Sequence, residues 1–208
     1  MRLRNVKNKK ELINESEVIV NEPKQKKGSW QKEFGNNNPI YLEIGMGFGK
    51  FIINNALKNP KINYIGLEKF DNVIVRTIEN VKDEIPNLRF IREDALNLKE
   101  LFGNKELSRI FLNFSDPWPK NRHEKRRLMS KNFLVMYEDI LKGEIHLKTD
   151  NNNLFEYSIE SLSNNGYYLK NITLNLLKSN FKSNITTEYE ERFNQKGKSI
   201  NRLEAYKK

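Results

Sequence analysis

The chain of 208 residues contains no cysteine. That excludes a disulfide framework, a thiol nucleophile and a cysteine-based zinc site. Histidine is almost as scarce, with only His123 and His146 present, so nothing points to a protein-bound metal. No stretch approaches the roughly 20 apolar residues needed to span a membrane. The N-terminal residues are basic but lack the apolar segment of a secretory signal. A cytoplasmic chain with no membrane partner is expected. Acidic residues are the minority charge, 27 against 37 Lys and Arg, which leaves a formal net charge of +10. A surplus of this size favours polyanionic partners without identifying a fold.

The length suits one α/β domain with an N-terminal extension. Residues 1–38 read as that extension: basic, polar and expected to be only partly ordered. Arg2, Arg4, Lys7, Lys9 and Lys10 form one basic cluster, and Lys24, Lys26 and Lys27 another. The single apolar run between them is Val18–Val20. From residue 39 onward the pattern changes. Apolar runs at 40–44, 62–67, 88–92, 108–114 and 143–149 read as strands. Segments at 49–58, 70–84, 133–141 and 154–164 read as helices, the second stopped by Pro86 and the last by Gly166. This alternation predicts a doubly wound, Rossmann-like α/β sheet that is mostly parallel. Residues 167–177 and 200–206 read as two further strands, an antiparallel C-terminal pair, with the polar segment 178–198 between them.

Several strands end on an acidic residue. The first runs into Glu43-Ile44-Gly45-Met46-Gly47-Phe48-Gly49. Gly45, Gly47 and Gly49 allow a tight turn that brings a ligand close to the backbone. The third glycine comes one residue too early for a dinucleotide fingerprint, and Lys50 stands where that fingerprint has glycine. Glu43 beside such a loop suits a ligand with an ammonium or sulfonium group better than a pyrophosphate. Glu68 ends the second strand at an offset suited to accepting from ribose hydroxyls. Asp94 ends the third and suits an adenine amino group, with the Ala95 N–H beside it. Asp116 follows the fourth. In an open parallel sheet these ends line one crevice, which predicts a nucleoside ligand. Taken singly, each acid is as well explained as a helix cap or a solvated loop residue.

The stretch from Phe111 to Arg127 changes character twice. An apolar strand gives way to Asp116-Pro117-Trp118-Pro119, whose prolines stiffen the turn and bias the residues before them toward extended backbone. Lys120, Arg122, His123, Lys125, Arg126 and Arg127 follow at once, a patch suited to phosphates. Trp118 packs beneath the turn or stacks near a base, with packing preferred. Further on, Thr187 and Ser183 are candidate helix caps, with Glu190 at the capping-box offset from Thr187.

The residues Asp116 to Arg127 resemble a signature of the bacterial tRNA (guanine-N7)-methyltransferases, a class I S-adenosylmethionine-dependent family. Thr187-Glu188-Tyr189-Glu190-Glu191-Arg192-Phe193, followed by Gly197, resembles that family's second signature. The resemblance covers about residues 39–207. It implies S-adenosyl-L-methionine as cofactor, held by Glu43, Glu68, Asp94 and Asp116, with Asp116 also in reach of the reaction centre. It implies Lys120, Asp150, Thr187, Glu188, Tyr189 and Glu190 as substrate-binding residues. The implied substrate is the guanine at position 46 in the variable loop of tRNA, and the family permits a monomer or a homodimer.

N7 of guanine carries an in-plane lone pair and no proton, so its attack needs positioning and charge matching more than a general base. A carboxylate gripping guanine N1–H and N2–H would present N7 to the methyl group, and Asp150 and Glu190 are the two candidates. The competing readings are another S-adenosylmethionine-dependent nucleic-acid or protein methyltransferase, and an RNA-binding protein without catalysis.

Overall fold

Residues 40–44, Ile-Tyr-Leu-Glu-Ile, form a strand almost wholly buried, as expected where a parallel sheet is covered on both faces. This is β1, Ile40–Ile44, in a computed structural model that describes residues 8–181, 184–194 and 197–208. Arg2, Arg4 and Lys7 of the first basic cluster, and the cap candidate Ser183, lie outside the described residues. The other strands are β2 (Asn63–Glu68), β3 (Leu88–Arg92), β4 (Leu107–Asn113), β5 (Leu141–Thr149), β6 (Tyr168–Thr173) and β7 (Asn201–Tyr206). They make one sheet in the order β3-β2-β1-β4-β5-β7-β6. The first five pair in parallel, and β7 inserts antiparallel between β5 and β6. The predicted doubly wound sheet with an antiparallel C-terminal pair is therefore the observed one. Strand order reverses between β1 and β4, and in open α/β sheets ligands bind in the crevice at that point.

Two apolar layers cover the sheet. The helices α3 (Lys50–Lys58) and α4 (Asp71–Glu79) pack on one face, with Phe51, Ile52 and Ile74 buried. On the other face lie α5 (Leu98–Leu101), α6 (Lys131–Ile140) and α7 (Asn152–Asn164), with Leu134, Tyr137 and Phe155 buried. Among the described residues no helix is long and apolar enough to cross a membrane.

Residues 8–38 differ from the partly ordered tail expected of them. They carry α1 (Lys9–Glu15) and α2 (Trp30–Phe34), and Ile13, Ile19, Val20 and Trp30 are buried. The Phe90 N–H donates to Val18 O at 2.7 Å and Val20 N–H to Phe90 O at 2.9 Å, so this run sits in parallel beside β3. Trp30 is fully buried, its indole N–H donating to Leu101 O at 2.8 Å. Glu106 clamps the approach by accepting from the N–H groups of Gly28 and Trp30, each at 2.9 Å. A few large apolar side chains outweigh the polar composition around them, because each one buried contributes about 1.5–3 kcal/mol.

Other boundaries also shift. Helix α4 ends at Glu79, short of the predicted residue 84, and Asn80 at its C-cap donates from Nδ2 to Phe48 O. The strand predicted over 167–177 stops at Thr173. Within the polar segment 178–198 lies a helix, α8, Glu188–Asn194.

Candidate active site

The loop after β1 is held open. Gly45 and Gly47 have φ of 75° and 57°, and a Cβ at either would meet nothing within 4 Å, so the space above their backbone is free for a ligand. Gly49 serves differently from its expected ligand role. A Cβ there would lie 2.5 Å from Thr77 Cγ2, so this glycine lets α3 and α4 approach. Thr77 Oγ1 donates to Gly47 O at 2.8 Å, and Asn80 Nδ2 to Phe48 O at 2.9 Å. The loop's shape is thus fixed by α4.

Four carboxylates converge beside it. Glu43 is 2% exposed; its Oε1 accepts from Asn113 Nδ2 at 2.8 Å and its Oε2 has no hydrogen-bond partner. Burial pushes its carboxyl up to about 8; Asn113 opposes this, and the charges of Glu188 and Glu68 add to it. Glu68 Oε1 accepts from the N–H groups of Lys69 at 2.8 Å and Phe70 at 3.0 Å. Its carboxyl is also raised, first by burial and further by the charge of Asp116. Glu43, Glu68, Asp116 and Glu188 therefore bear on one another's charge, with the Lys148 ammonium acting the other way at Glu43.

Asp94 stands apart. Its Oδ1 accepts from Leu96 N at 3.0 Å, capping a short 3-10 turn over Ala95–Asn97, and its Oδ2 pairs with Lys69 Nζ at 2.5 Å. Burial works against its ionised form, but Lys69 and the Leu96 N–H outweigh that and hold the carboxyl below its ordinary value. Asp94 is a cap and an ion-pair partner here; Ala95 beside it is half-exposed.

Helix α8 lies over the crevice. Thr187 Oγ1 accepts from Glu190 N–H at 2.9 Å and caps the helix, as its spacing suggests. The reciprocal half of a capping box is absent. Glu190 is fully buried and turns inward to Lys148 Nζ at 3.1 Å and to Asn184 Nδ2. Both of its oxygens are thus engaged within the protein, Oε2 by Lys148 and Oε1 by Asn184. Glu188 Oε1 accepts from the Lys50 N–H at 3.1 Å, and Glu191 pairs with Lys50 Nζ at 2.6 Å, which ties α8 to the head of α3.

The exposed ring of Tyr189 lies 4.3 Å from Phe193, stacked, and 4.9 Å from Phe114. Burial raises the Tyr189 hydroxyl, and the charge of Asp150 raises it further, so Asp150 lies close to this aromatic shelf. Phe114 itself has φ of 52°, a conformation that bulky residues seldom adopt. Its N–H is anchored by Lys148 O at 2.8 Å.

The turn at Asp116 leaves that side chain exposed at the crevice edge. Trp118 departs from the extended backbone expected before Pro119, with φ of 42°. Its side-chain and main-chain contacts supply the reason. Arg127 donates to Trp118 O from Nε at 3.3 Å and Nη2 at 3.1 Å, Arg126 lies 4.8 Å over the indole, and His123 meets it edge-on at 5.6 Å. Arg127 also covers the Tyr157 ring at 4.3 Å. The predicted phosphate patch therefore divides. Lys120, Arg122, Lys125 and Arg126 are exposed, Arg126 while also lying over the indole, and the half-buried Arg127 and His123 brace the turn.

On the sheet face away from α6 and α7, a cavity of about 380 Å³ is roofed by Phe181, Asn184 and Ile185, with Phe111, His146 and Lys148 on its floor. Nearby, ligand atoms of Glu144, His146 and Glu204 lie within 4.8 Å of one another. Lys170 and Arg109 pair with Glu144, and Arg202 with Glu204, so the cluster is already neutralised as a charge ladder across β4, β5, β7 and β6. His146 is held neutral near pH 7, its value pushed down to about 4 by burial and by Arg109.

Sequence reasoning missed Asn113, Lys148, Phe114, Thr77 and Asn80. The signal for Asn113 was a polar residue closing the apolar run 110–112; Lys148 carries none, because β5 alternates polar and apolar residues.

The site suits S-adenosyl-L-methionine. The unpartnered buried oxygen of Glu43, amid three other carboxylates, calls for a cationic ligand group. The free space above Gly45 and Gly47 admits it close to the backbone. A family model described as putative methyltransferase matches residues 37–203. A tRNA (guanine-N(7)-)-methyltransferase of Lachnoclostridium phytofermentans is 48% identical, the alignment covering 100% of this chain and 99% of that protein. One from Bacillus licheniformis is 50% identical over 93% of this chain and 92% of its own. Among solved structures, the 16S rRNA methyltransferase KamB aligns with a TM-score of 0.64 at 13% identity, covering 85% of this chain and 91% of that one. The antibiotic-resistance methyltransferase Kmr gives 0.59 at 12%, covering 86% and 92%. At such identities these two share the fold. From its sequence relatives and its site together, the chain belongs to the tRNA (guanine-N7)-methyltransferase family.

Proposed function

We propose that this chain transfers a methyl group from S-adenosyl-L-methionine to N7 of a tRNA guanine, at position 46 of the variable loop, in the cytoplasm. The observation that carries the reading is the four-carboxylate crevice, with Glu43 Oε2 unpartnered, lying under the Tyr189–Phe114 shelf.

S-adenosyl-L-methionine supplies an electrophilic methyl on a sulfonium. Glu43 and Glu188 stabilise positive charge near the glycine loop. Glu68, with Oε1 held by the N–H groups of Lys69 and Phe70, is assigned to accept from ribose hydroxyls. Asp94 and Ala95 border the adenine end, where the Ala95 N–H and any acceptor capacity left on Asp94 serve the ring. Asp116, exposed and felt electrostatically by Glu68, is assigned the role of favouring the positive charge that builds on the purine as N7 is alkylated; its nearness to Glu68 supports this. It takes no proton from the nucleophile, because N7 has none to give.

Asp150 is assigned to accept from guanine N1–H and N2–H, a role its charge effect on Tyr189 supports. Glu190 positions α8 and does not grip the base. Tyr189 offers a face on which an extruded base stacks. Lys120, Arg122 and Lys125 contact phosphates. Incubating tRNA with labelled S-adenosyl-L-methionine and digesting it to nucleosides tests the reading. Label recovered in 7-methylguanosine supports it, and label in any other nucleoside overturns it.

A further inference from the structure

Lys148 is the penultimate residue of β5 and is 6% exposed. A lysine ammonium has three protons to donate, and all three have an acceptor here: Asn184 Oδ1 at 2.6 Å, Ile185 O at 2.9 Å and Glu190 Oε2 at 3.1 Å. All three acceptors belong to residues 184–190, the strap that leads into α8. The carbonyl of the same residue accepts from Phe114 N–H at 2.8 Å. One residue thus holds both sides of the aromatic shelf, Phe114 through its backbone and Tyr189 through its side chain.

The strap is packed in part: Ile185 rests against the apolar cluster on the α3 side, and Thr187 and Glu190 are buried. Asn184 and Ile185 also line the 380 Å³ cavity, so at that end the Lys148 contacts stand beside open space. At the far end of the strap Glu188 and Glu191 engage Lys50 at the glycine loop. A displacement at Lys148 would therefore be felt at both the base-stacking face and the cofactor-side carboxylate Glu188.

We propose that Lys148 is a positioning residue: it latches residues 184–194 over the crevice and sets Tyr189 and Glu188 relative to Asp116. Lys148 touches neither substrate nor the reacting atoms. The latch depends on a three-donor point charge, which Met, of similar length, cannot supply. Replacing Lys148 alone also strands Glu190 as a buried carboxylate without its ion partner, which is costly. Asn184→Ala removes one latch contact while leaving the ion pair whole, and so remains informative if Lys148→Met folds poorly.

The test is amide hydrogen exchange on the full chain without added ligand, beside binding of S-adenosyl-L-methionine by calorimetry and steady-state methylation of tRNA. In Lys148→Met, exchange across 184–194 rises about tenfold or more, the scale expected when a charge-assisted hydrogen bond is lost, while β1 to β4 keep wild-type protection. Turnover falls by a similar factor and the tRNA KM changes by less than about threefold, because Lys120, Arg122 and Lys125 are untouched. Asn184→Ala shows the same pattern more weakly, and Lys148→Arg recovers part of both losses. Wild-type exchange across 184–194 in both variants overturns the proposal. So does raised exchange with unchanged turnover, and so does a loss of protection spread evenly over the sheet. The activity arm rests on the methyl-transfer reading. If wild-type protein methylates no tRNA, that reading fails alone, and exchange and cofactor binding still decide the latch.

Discussion

Glu43 is raised to about 8 from an ordinary value of 4.5, chiefly by burial. Between those two values the folded chain without ligand holds a proton that the unfolded chain has released. Its contribution to stability is complete below about 4.5 and is lost as pH rises through about 8. Glu43→Gln should remove that loss, so thermal unfolding of the ligand-free variant varies less than wild type between pH 5 and 8 on the scale of these shifts. Subtracting the two curves isolates Glu43 from His146, whose lowered value acts in the opposite sense between about 4 and 6.5. A cationic ligand favours the ionised carboxylate, so binding of S-adenosyl-L-methionine at pH 7 should release a proton. Calorimetry in buffers of different ionisation enthalpy measures it, and zero release would contradict this account of Glu43.

Asp150→Ala should lower turnover by about 10–100-fold, the size expected for losing a charged hydrogen bond to the base; unchanged turnover removes it as the guanine clamp. The arginines should separate as well. Arg122→Ala should weaken tRNA binding and reduce the slope of log K against log salt by about 1. Arg127→Ala should instead lower the melting temperature and turnover while leaving the salt slope almost unchanged, since its guanidinium is committed to Trp118 O and the Tyr157 ring.

At the scale of elements, the parallel strands and their acidic ends were legible because hydrophobic period and turn residues are local signals. Glu43, Glu68 and Asp116 could be assigned to one crevice before any coordinates, since a parallel sheet brings strand ends together. The direction of a side chain was not legible. Glu190 matches a capping-box spacing, yet it turns inward because a buried lysine of β5, forty-two positions back, offers a stronger partner. Arg127 sits in a run of cations that reads as a solvated patch, and only the Trp118 turn shows why it is held. Residues 8–38 looked loose because a handful of buried side chains is lost in a polar average. Helix α8 carries Glu190, and Tyr189 tests the role of the helix. Tyr189→Ala should reduce kcat/KM for tRNA by about 5–150-fold, the range for one base–aromatic stack, and Tyr189→Phe should restore most of it. Equal activity of the Ala variant would deny α8 a part in holding the base.

Across the whole molecule, charge is sorted. The net charge is +10, yet the crevice gathers Glu43, Glu68, Asp116 and Glu188. On the proposed function, phosphates would be drawn to the solvent-facing cations after Pro119 and repelled from the crevice, so that an extruded base would enter while the backbone stays at the rim. The sheet supplies the geometry for this separation, with the strand ends forming an acidic floor and the chain after β4 rising directly into the basic rim. The central claim is that a guanine N7 in that crevice is the methyl acceptor and needs no proton removed. It is tested most directly by methyl transfer to two tRNAs that differ only in having guanosine or 7-deazaguanosine at position 46. The account predicts transfer to the first, no transfer to the second, and similar binding of both; methylation of the 7-deaza tRNA would contradict it.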